Sequence, residues 1–406
     1  MNGAIGKTTG GLCAPRGYRA SGVAADIKGK GANKLDCALV LSEAEATLAG
    51  MFTTNVVKAP PVAWDEAARA RGKARAVFVN SGNANACTGA RGVRDVEATA
   101  AHVASQLGLS ADEVCIASTG VIGVFLPMER ILKGVEGCVA ALSAEGSGNA
   151  ARAIMTTDTV PKEMAVEVAL SGGTVRIGAI AKGSGMIAPN MATMIALLTT
   201  DAAITVAHLQ PLLRRCVEAS FNRICVDNDM STSDTVLCLA NGCSGTAALA
   251  PGTEDFDLFG AALESVCVEM AQVLVRDGEG ASKFVEIVVE GAASDDAAKT
   301  IARSIAVSQL CKTAFFGQDP NWGRIACAAG YAGVAFEPEN LSVRIGGVTV
   351  LAGGLPADYR EEDAAAQMQS EDIHVHVSVG GGAGSTVFWT SDLSHEYVTI
   401  NADYRT

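Results

Sequence analysis

The chain has 406 residues and a formal net charge of −13, with 49% hydrophobic but only 5% aromatic residues. So acidic a balance argues against a nucleic-acid partner, and the length exceeds what one core usually holds, so two subdomains are expected. The core must be built from Ala, Val, Ile and Leu, and 44 glycines against 11 prolines point to many tight turns.

Twelve cysteines show no C-x-x-C spacing, and the nearest pair, Cys238 and Cys243, has four residues between. With no apolar h-region in Met1 to Lys7, they read as buried, reduced thiols of a cytoplasmic protein. No segment approaches ~18 uninterrupted apolar residues, so a membrane-spanning helix is not expected.

Along the chain, Asp95 to Leu107 is an Ala-rich amphipathic helix stopping before Gly108. Glu113 to Ala117 reads as a strand and Ser118-Thr119-Gly120 as the loop after it. Ala165 to Leu170 and Thr174 to Gly178 form a hairpin about Gly172-Gly173, where glycine supplies the positive φ of a tight turn. Thr205 to Ser220 is a helix with Thr205 as N-cap candidate, and Asp257 to Arg276 another, with Gly278 just past its end. Phe284 to Val289 is a strand, and Ser294 caps a helix through about Val307. A second Gly-Gly hairpin joins Leu341 to Ile345 with Val348 to Val350, and Ile373 to Val379 is an alternating strand. Long strands mixed with amphipathic helices indicate a layered α+β fold.

The segment from Lys182 to Asp201 carries the chemistry. A glycine-rich loop broken by Pro189 runs into a short apolar strand that opens on Thr193. Threonine is β-branched and common in strands. A threonine at a strand mouth after a small Ala192 is also the arrangement of self-cleaving enzymes. There the hydroxyl attacks the preceding carbonyl and the chain breaks. The new α-amine, with a pKa of about 7.7–8.0, then serves as base for its own hydroxyl.

Lys182 follows the strand Thr174 to Ala181; it is either a solvated strand end or a cation near the acyl acceptor or a substrate α-carboxylate. Glu279 follows a helix C-terminus, where the helix dipole disfavours negative charge, so a cationic substrate group is its expected partner. Thr119-Gly120 offers a hydroxyl and a backbone N–H close together, as an oxyanion requires, although an ordinary turn looks the same.

Three other patterns are set aside. Gly6-Lys7-Thr8 lacks the upstream glycine of a phosphate loop, since position 1 is Met1. Gly183-Ser184-Gly185-Met186-Ile187-Ala188 is followed by Pro189 and a strand rather than a long helix, which argues against dinucleotide binding. His374 and His376 share a strand face with no third ligand in sight, so a solvated face is expected and no metal.

The Thr193 segment, Pro189-Asn190-Met191-Ala192-Thr193-Met194, has company. Gly22-Val23-Ala24-Ala25-Asp26-Ile27-Lys28, Phe52-Thr53-Thr54-Asn55 and Asn80-Ser81-Gly82-Asn83-Ala84-Asn85-Ala86-Cys87-Thr88-Gly89 precede it, with Ser118-Thr119-Gly120-Val121-Ile122-Gly123. Asp277-Gly278-Glu279-Gly280-Ala281, Asp319-Pro320-Asn321-Trp322-Gly323-Arg324 and the terminal run from Tyr397 to Thr406 follow it. In this order the strings resemble the ornithine acetyltransferases, also called bifunctional glutamate N-acetyltransferases, of arginine biosynthesis, over the whole chain.

The resemblance implies an α-β-β-α sandwich cut between Ala192 and Thr193 into an α chain, 1–192, and a β chain, 193–406. It makes Thr193 the nucleophile and Thr119 and Gly120 the oxyanion hole. Thr156, Lys182, Thr193, Glu279, Asn401 and Thr406 become the substrate site, with the C-terminus tied down over the pocket. The implied reaction moves an acetyl group from N2-acetylornithine to glutamate through an acetyl-Thr193 ester, by double displacement. No metal or organic cofactor is needed, acetyl-CoA is left open as a second donor, and an α2β2 heterotetramer is the implied assembly. An amidase or aminopeptidase on a related self-cleaving scaffold is the alternative. A non-catalytic amino-acid-binding protein is a third reading, opposed by Thr193, Thr119, Gly120, Lys182 and Glu279 occurring together.

Overall fold

The computed structural model describes residues 5–31, 33–188 and 194–403. The first half supplies strands β1 (Ile5–Thr8), β2 (Tyr18–Val23), β3 (Cys37–Phe52), β4 (Lys73–Asn83), β5 (Val114–Val121), β6 (Lys162–Leu170) and β7 (Gly173–Lys182). Then come β8 (Ile195–Thr200), the short β9 (Ile224–Cys225), β10 (Thr235–Ala240), β11 (Phe284–Ala292), β12 (Ser342–Ile345), β13 (Val348–Ala352), β14 (Leu355–Pro356), β15 (Asp372–Ser378) and β16 (Gly384–Ser391). The helices are α1 (Pro60–Arg71), α2 (Gly89–Leu107), α3 (Met128–Ala140), α4 (Ser147–Ala153), α5 (Val206–Ala219), α6 (Glu254–Arg276), α7 (Asp295–Ala306), α8 (Gln309–Phe316), α9 (Trp322–Gly330), α10 (Glu361–Met368) and α11 (His395–Asp403).

Nine strands form one sheet in the order β1-β6-β7-β8-β10-β3-β4-β5, with β2 paired to β3. The sheet is folded over on itself at β3. That strand pairs with β10 through Thr47 to Phe52 and with β2 and β4 through its first half, and its register with β4 breaks between Leu41 and Ala46. Such irregularities bend a strand. The fold-over puts alternate residues of both halves into one core: Ile195, Leu197, Leu237 and Leu239 on one side, Val77, Val79, Cys115 and Ala117 on the other.

The residues between them point outward. Ala196, Leu198, Val236 and Cys238 meet Leu209, Leu213, Phe259 and Leu263 of α5 and α6. Ala76, Phe78 and Ile116 meet Val96, Val103, Ile131 and Val135 of α2 and α3. The order of layers is therefore helix, sheet, sheet, helix. A strand buried on both faces reads as a continuous apolar run, as β8 and β10 do. The second body is a seven-stranded sheet, β14-β13-β12-β15-β11-β16-β9, covered by α7 to α10 around its own core.

Both Gly-Gly hairpins form, as β6–β7 and β12–β13. Ser294 caps α7 by accepting from Ala297 N. Three expectations are corrected. Helix α2 begins at Gly89, six residues before Asp95, because its first turns lack the apolar periodicity that marks the rest. Helix α6 begins at Glu254, where Thr253 accepts from Phe256 N at 3.3 Å and three acidic residues favour the positive end of the dipole. Not all cysteines are buried: Cys87 and Cys327 are exposed, although all twelve are free. At 23 residues, α6 is long and apolar enough to cross a membrane by length and composition alone. Here it packs as a core helix, with Phe259, Leu263, Val266, Met270 and Leu274 buried against the sheet.

Candidate active site

Three strand ends meet at one edge of the folded sheet. Lys182, the last residue of β7, stands opposite Ile195, the first of β8, and Ile195 stands opposite Thr235, the first of β10. Met194 leads into β8: its N–H donates to Asp234 Oδ1 at 3.0 Å and its carbonyl accepts from Thr235 N at 3.0 Å. Ala192, Thr193 and Thr406 lie outside the described residues. Thr193 is bonded to Met194, so the mouth of β8 is fixed from its first described residue.

The folded-over half brings β5 to the same place. Ser118-Thr119-Gly120 is not a loop, as the sequence suggested, but the end of β5. Thr119 pairs with Ser81 and Gly120 with Gly82 of the parallel strand β4. Gly120 has φ +128°, and a Cβ there would lie 2.4 Å from the Gly82 carbonyl carbon, so only glycine lets the strand continue to this point.

Thr119, Gly120, Thr156, Lys182, Glu279 and Asn401 all line one cleft of about 670 Å³, its open mouth included. Lys182 is 2% exposed and donates to Thr156 Oγ1 at 2.7 Å and to Thr119 Oγ1 at 3.4 Å. A hydroxyl that accepts from an ammonium keeps its own proton for another acceptor, so Thr119 presents a donor to the cleft. Burial, reinforced by Lys162, lowers the Lys182 pKa from the usual lysine range, while Asp158 works against the shift. The solvated-strand-end reading of Lys182 is thereby excluded.

Behind the cleft lies a charge network that the sequence reading did not single out. Lys162, almost fully buried, bridges Asp158 Oδ1 at 2.7 Å and Asp277 Oδ2 at 2.5 Å. Asp158 also accepts from Gly183 N at 2.7 Å, and Asp277 from Thr159 N. Burial disfavours the Asp158 carboxylate, but Lys182 and Lys162 overcome it and hold its pKa at about 2. The network ties the 156–159, 182–185 and 277–279 segments together. Lys162 and Asp277 are 115 residues apart in sequence, so no local pattern could have shown it.

Glu279 is 8% exposed and its N–H donates to Ser184 O at 2.8 Å. Its carboxylate accepts from Asn401 Nδ2 at 2.8 Å and packs flat against Gly185, where a Cβ would come within 2.3 Å of Oε2. Asn401 comes from α11, which buries none of its residues yet is held at the cleft by this bond and by Tyr397 OH donating to Asp227 Oδ2 at 3.3 Å. The C-terminal segment is thus tied to the pocket as far as Asn401. Asp227, another residue the sequence reading passed over, accepts from Met186 N and Ile187 N and shapes the turn before residue 189.

His374 and His376 face Glu286 and Glu290, each at 3.2 Å, as a solvated strand face would. Among the described residues no group of His, Cys, Asp and Glu is arranged to hold a metal ion.

Comparison with known proteins shows the family. The model of the ArgJ family matches residues 19–406. The chain belongs to the ArgJ family. The arginine biosynthesis bifunctional protein ArgJ of Symbiobacterium thermophilum is 46% identical over 397 residues, covering 98% of this chain and 99% of that protein. The protein of the same description from Geobacter sulfurreducens is 48% identical over 395 residues, covering 96% and 99%. The crystal structure of the ArgJ protein of Bacillus halodurans matches with 40% identity and a TM-score of 0.50, covering 51% of this chain but 97% of the solved one. Like its ArgJ relatives, the chain is an acyltransferase.

Proposed function

We propose that the chain is cut between Ala192 and Thr193 and that Thr193, as a new N-terminal residue, carries an acetyl group from N2-acetylornithine to glutamate. One observation carries the reading: Thr119, Lys182 and the Glu279–Asn401 pair, drawn from four distant parts of the chain, line one cleft at the strand mouth that follows Thr193.

Thr193 Oγ attacks the acetyl carbonyl and the α-amine of Thr193 takes its proton. The Thr119 hydroxyl and the Gly120 backbone stabilise the oxyanion. Thr156 and Lys182 set the polar wall of the substrate site, with Lys182 beside the substrate carboxylate. Glu279, steadied by Asn401, receives the side-chain ammonium of ornithine. Ornithine leaves, and the α-amine of glutamate attacks the acetyl-Thr193 ester. Thr406, at the end of the segment that α11 ties down, completes the site.

The two fragments stay together because strands from both sides of the cut share a sheet: six residue pairs join β7 to β8. The solved chain from Bacillus halodurans is about half the length of this one, which supports a cut near the middle. The description of the relatives as bifunctional supports a second acetyl donor, which we take to be acetyl-CoA. We further propose an α2β2 assembly in the cytoplasm.

The test is an assay of acetyl transfer to glutamate from acetylornithine and from acetyl-CoA side by side, with mass spectrometry of the purified protein. Fragments 1–192 and 193–406 and glutamate-dependent loss of acetylornithine are expected, and Thr193→Ala should abolish both. Glutamate-independent loss would replace the reading with that of a hydrolase.

A further inference from the structure

Of the two acetyl donors proposed above, acetylornithine is accounted for by the cleft and acetyl-CoA is not. Acetyl-CoA carries phosphate groups that acetylornithine lacks. A chain of net charge −13 repels a polyanion unless a local cationic surface offsets the field. The string from Gly22 to Lys28, which no step of the transfer has used, leads into such a surface.

Lys28, Lys30 and Lys34 are exposed residues that line one cavity of about 470 Å³, its open mouth included, together with Ser81, Gly82 and Thr156. Two carboxylates share the cavity, and both are engaged by other groups. Asp36 accepts from Ala25 N at 2.6 Å and from Ile27 N at 2.7 Å. Asp26 accepts from Lys30 N at 2.9 Å and pairs with Arg130 at 3.0 Å, which pins the loop that carries Lys28 and Lys30. Lys34 Nζ donates to the Thr156 carbonyl at 3.0 Å rather than to a carboxylate. Burial, reinforced by the charge of Lys28, lowers the Lys34 pKa from the usual lysine range, while Asp158 and Asp36 work against the shift. An anion between the two lysines relieves that repulsion. Arg215 and Arg276 line another groove, but Asp257, Glu264 and Glu269 share it and leave no excess of positive charge.

The lysine cavity stands back to back with the cleft, and Thr156 lines both. Its carbonyl accepts from Lys34 on the cavity side and its hydroxyl from Lys182, at 2.7 Å, on the cleft side. Gly82 is a second shared wall. Lys28 Cγ lies 3.0 Å from where a Cβ of residue 82 would stand, and Gly82 pairs with Gly120 of the cleft. A donor held in the cavity therefore has only Thr156 and Gly82 between it and the residues that line the cleft.

We infer that this cavity holds the phosphate groups of acetyl-CoA while its thioester end enters the cleft. The inference rests on the reading of acetyl-CoA as the second donor. Ammonium groups bind phosphate as point charges, and a loop already fixed by Arg130 and Asp26 loses little freedom when it does so. Free phosphate presents the same chemistry, so the test has to separate the two sources.

The test compares three acetyl donors on the fully cut enzyme: acetyl-CoA, acetylornithine, and S-acetyl-N-acetylcysteamine, a thioester with no phosphate. Lys28→Gln/Lys30→Gln should raise the KM for acetyl-CoA roughly ten- to a hundredfold. It should leave the other two donors within about threefold of wild type. Lys30→Glu, a change on an exposed side chain, should act in the same direction. Adenosine 3′,5′-bisphosphate should compete with acetyl-CoA, and inorganic phosphate at the same concentration should not. An unchanged KM for acetyl-CoA in both variants, equal damage with the phosphate-free thioester, or competition by inorganic phosphate as strong as by the bisphosphate would each overturn the inference. A wild-type enzyme that takes no acetyl group from acetyl-CoA would overturn it together with the donor reading. A wild-type enzyme that uses acetyl-CoA, with variants unimpaired, would overturn the inference alone.

Discussion

Thr119 Oγ1 and Lys182 Nζ lie 3.4 Å apart, although their strands, β5 and β7, stand five places apart in one sheet. In a flat sheet that separation would be about 24 Å. The contact exists because the sheet folds over at β3 and closes on the core of Ile195, Leu237, Val79 and Cys115. Donors and cation are thus placed by the packing between two layers rather than by a local motif.

Lys182→Met should separate chemistry from stability at this contact. The methionine fills a similar volume and removes a desolvated charge. Asp158 keeps Lys162 and Gly183 N as partners. We expect acetyl transfer to fall by at least ~100-fold with the melting temperature shifted by less than about 4 °C. A large thermal shift would show that Lys182 mainly holds the layers together.

Thr119→Ala removes the hydroxyl that Lys182 leaves free to donate. Loss of one oxyanion donor typically costs ~10²–10³ in kcat, and KM should change little because the interaction forms in the transition state. The readout is kcat and KM for acetylornithine on fully cut enzyme. A raised KM at constant kcat would make Thr119 a substrate-binding residue instead.

Much of this was legible beforehand where the signal is local. Gly172-Gly173 marks its hairpin because the turn needs positive φ there, and Gly173 has φ +137°. Ser294 marks its helix because a hydroxyl at that position can accept from Ala297 N. Ser118-Thr119-Gly120 was misread because the same three residues suit a turn. Only the neighbouring Gly82, 38 residues upstream, makes room for a strand. The sandwich could not be derived from periodicity, since β8 and β10 are apolar on both faces and do not say which face meets which layer. Asp234, inside Ser231-Thr232-Ser233-Asp234-Thr235, looks like ordinary strand entry until its burial and unpaired oxygen are seen.

Glu279→Gln and Gly185→Ala should produce the same defect by different routes. The first removes the charge that receives the ornithine ammonium. The second places a methyl within 2.3 Å of Glu279 Oε2, forcing the carboxylate off Asn401. A charge-assisted hydrogen bond is worth roughly 1.5–3 kcal/mol, about ten- to a hundredfold in affinity. Both variants should raise the KM for acetylornithine by that factor and leave discharge of acetyl-Thr193 to glutamate nearly unchanged. Equal damage to both half-reactions would mean that Glu279 shapes the pocket without reading the cation.

Asp234, fully buried and accepting from Met194 N, also makes a prediction about stability, best measured on the uncut Thr193→Ala chain so that no α-amine intervenes. Burial raises the Asp234 pKa well above the usual value in the folded state, whereas in the unfolded chain the group ionises at about pH 4. Between those two points the folded state binds one more proton than the unfolded state. Stability therefore falls as pH rises, by about 1.4 kcal/mol per pH unit from this group, and the fall stops once pH passes the folded pKa. Asn at position 234 does not titrate. In that background Asp234→Asn should be close to neutral at about pH 4 and increasingly stabilising as pH rises toward the folded pKa, read as the difference in denaturant midpoint across a pH series. A difference that stays flat from pH 4 to 8 would show that Asp234 ionises in the folded chain as readily as in the unfolded one.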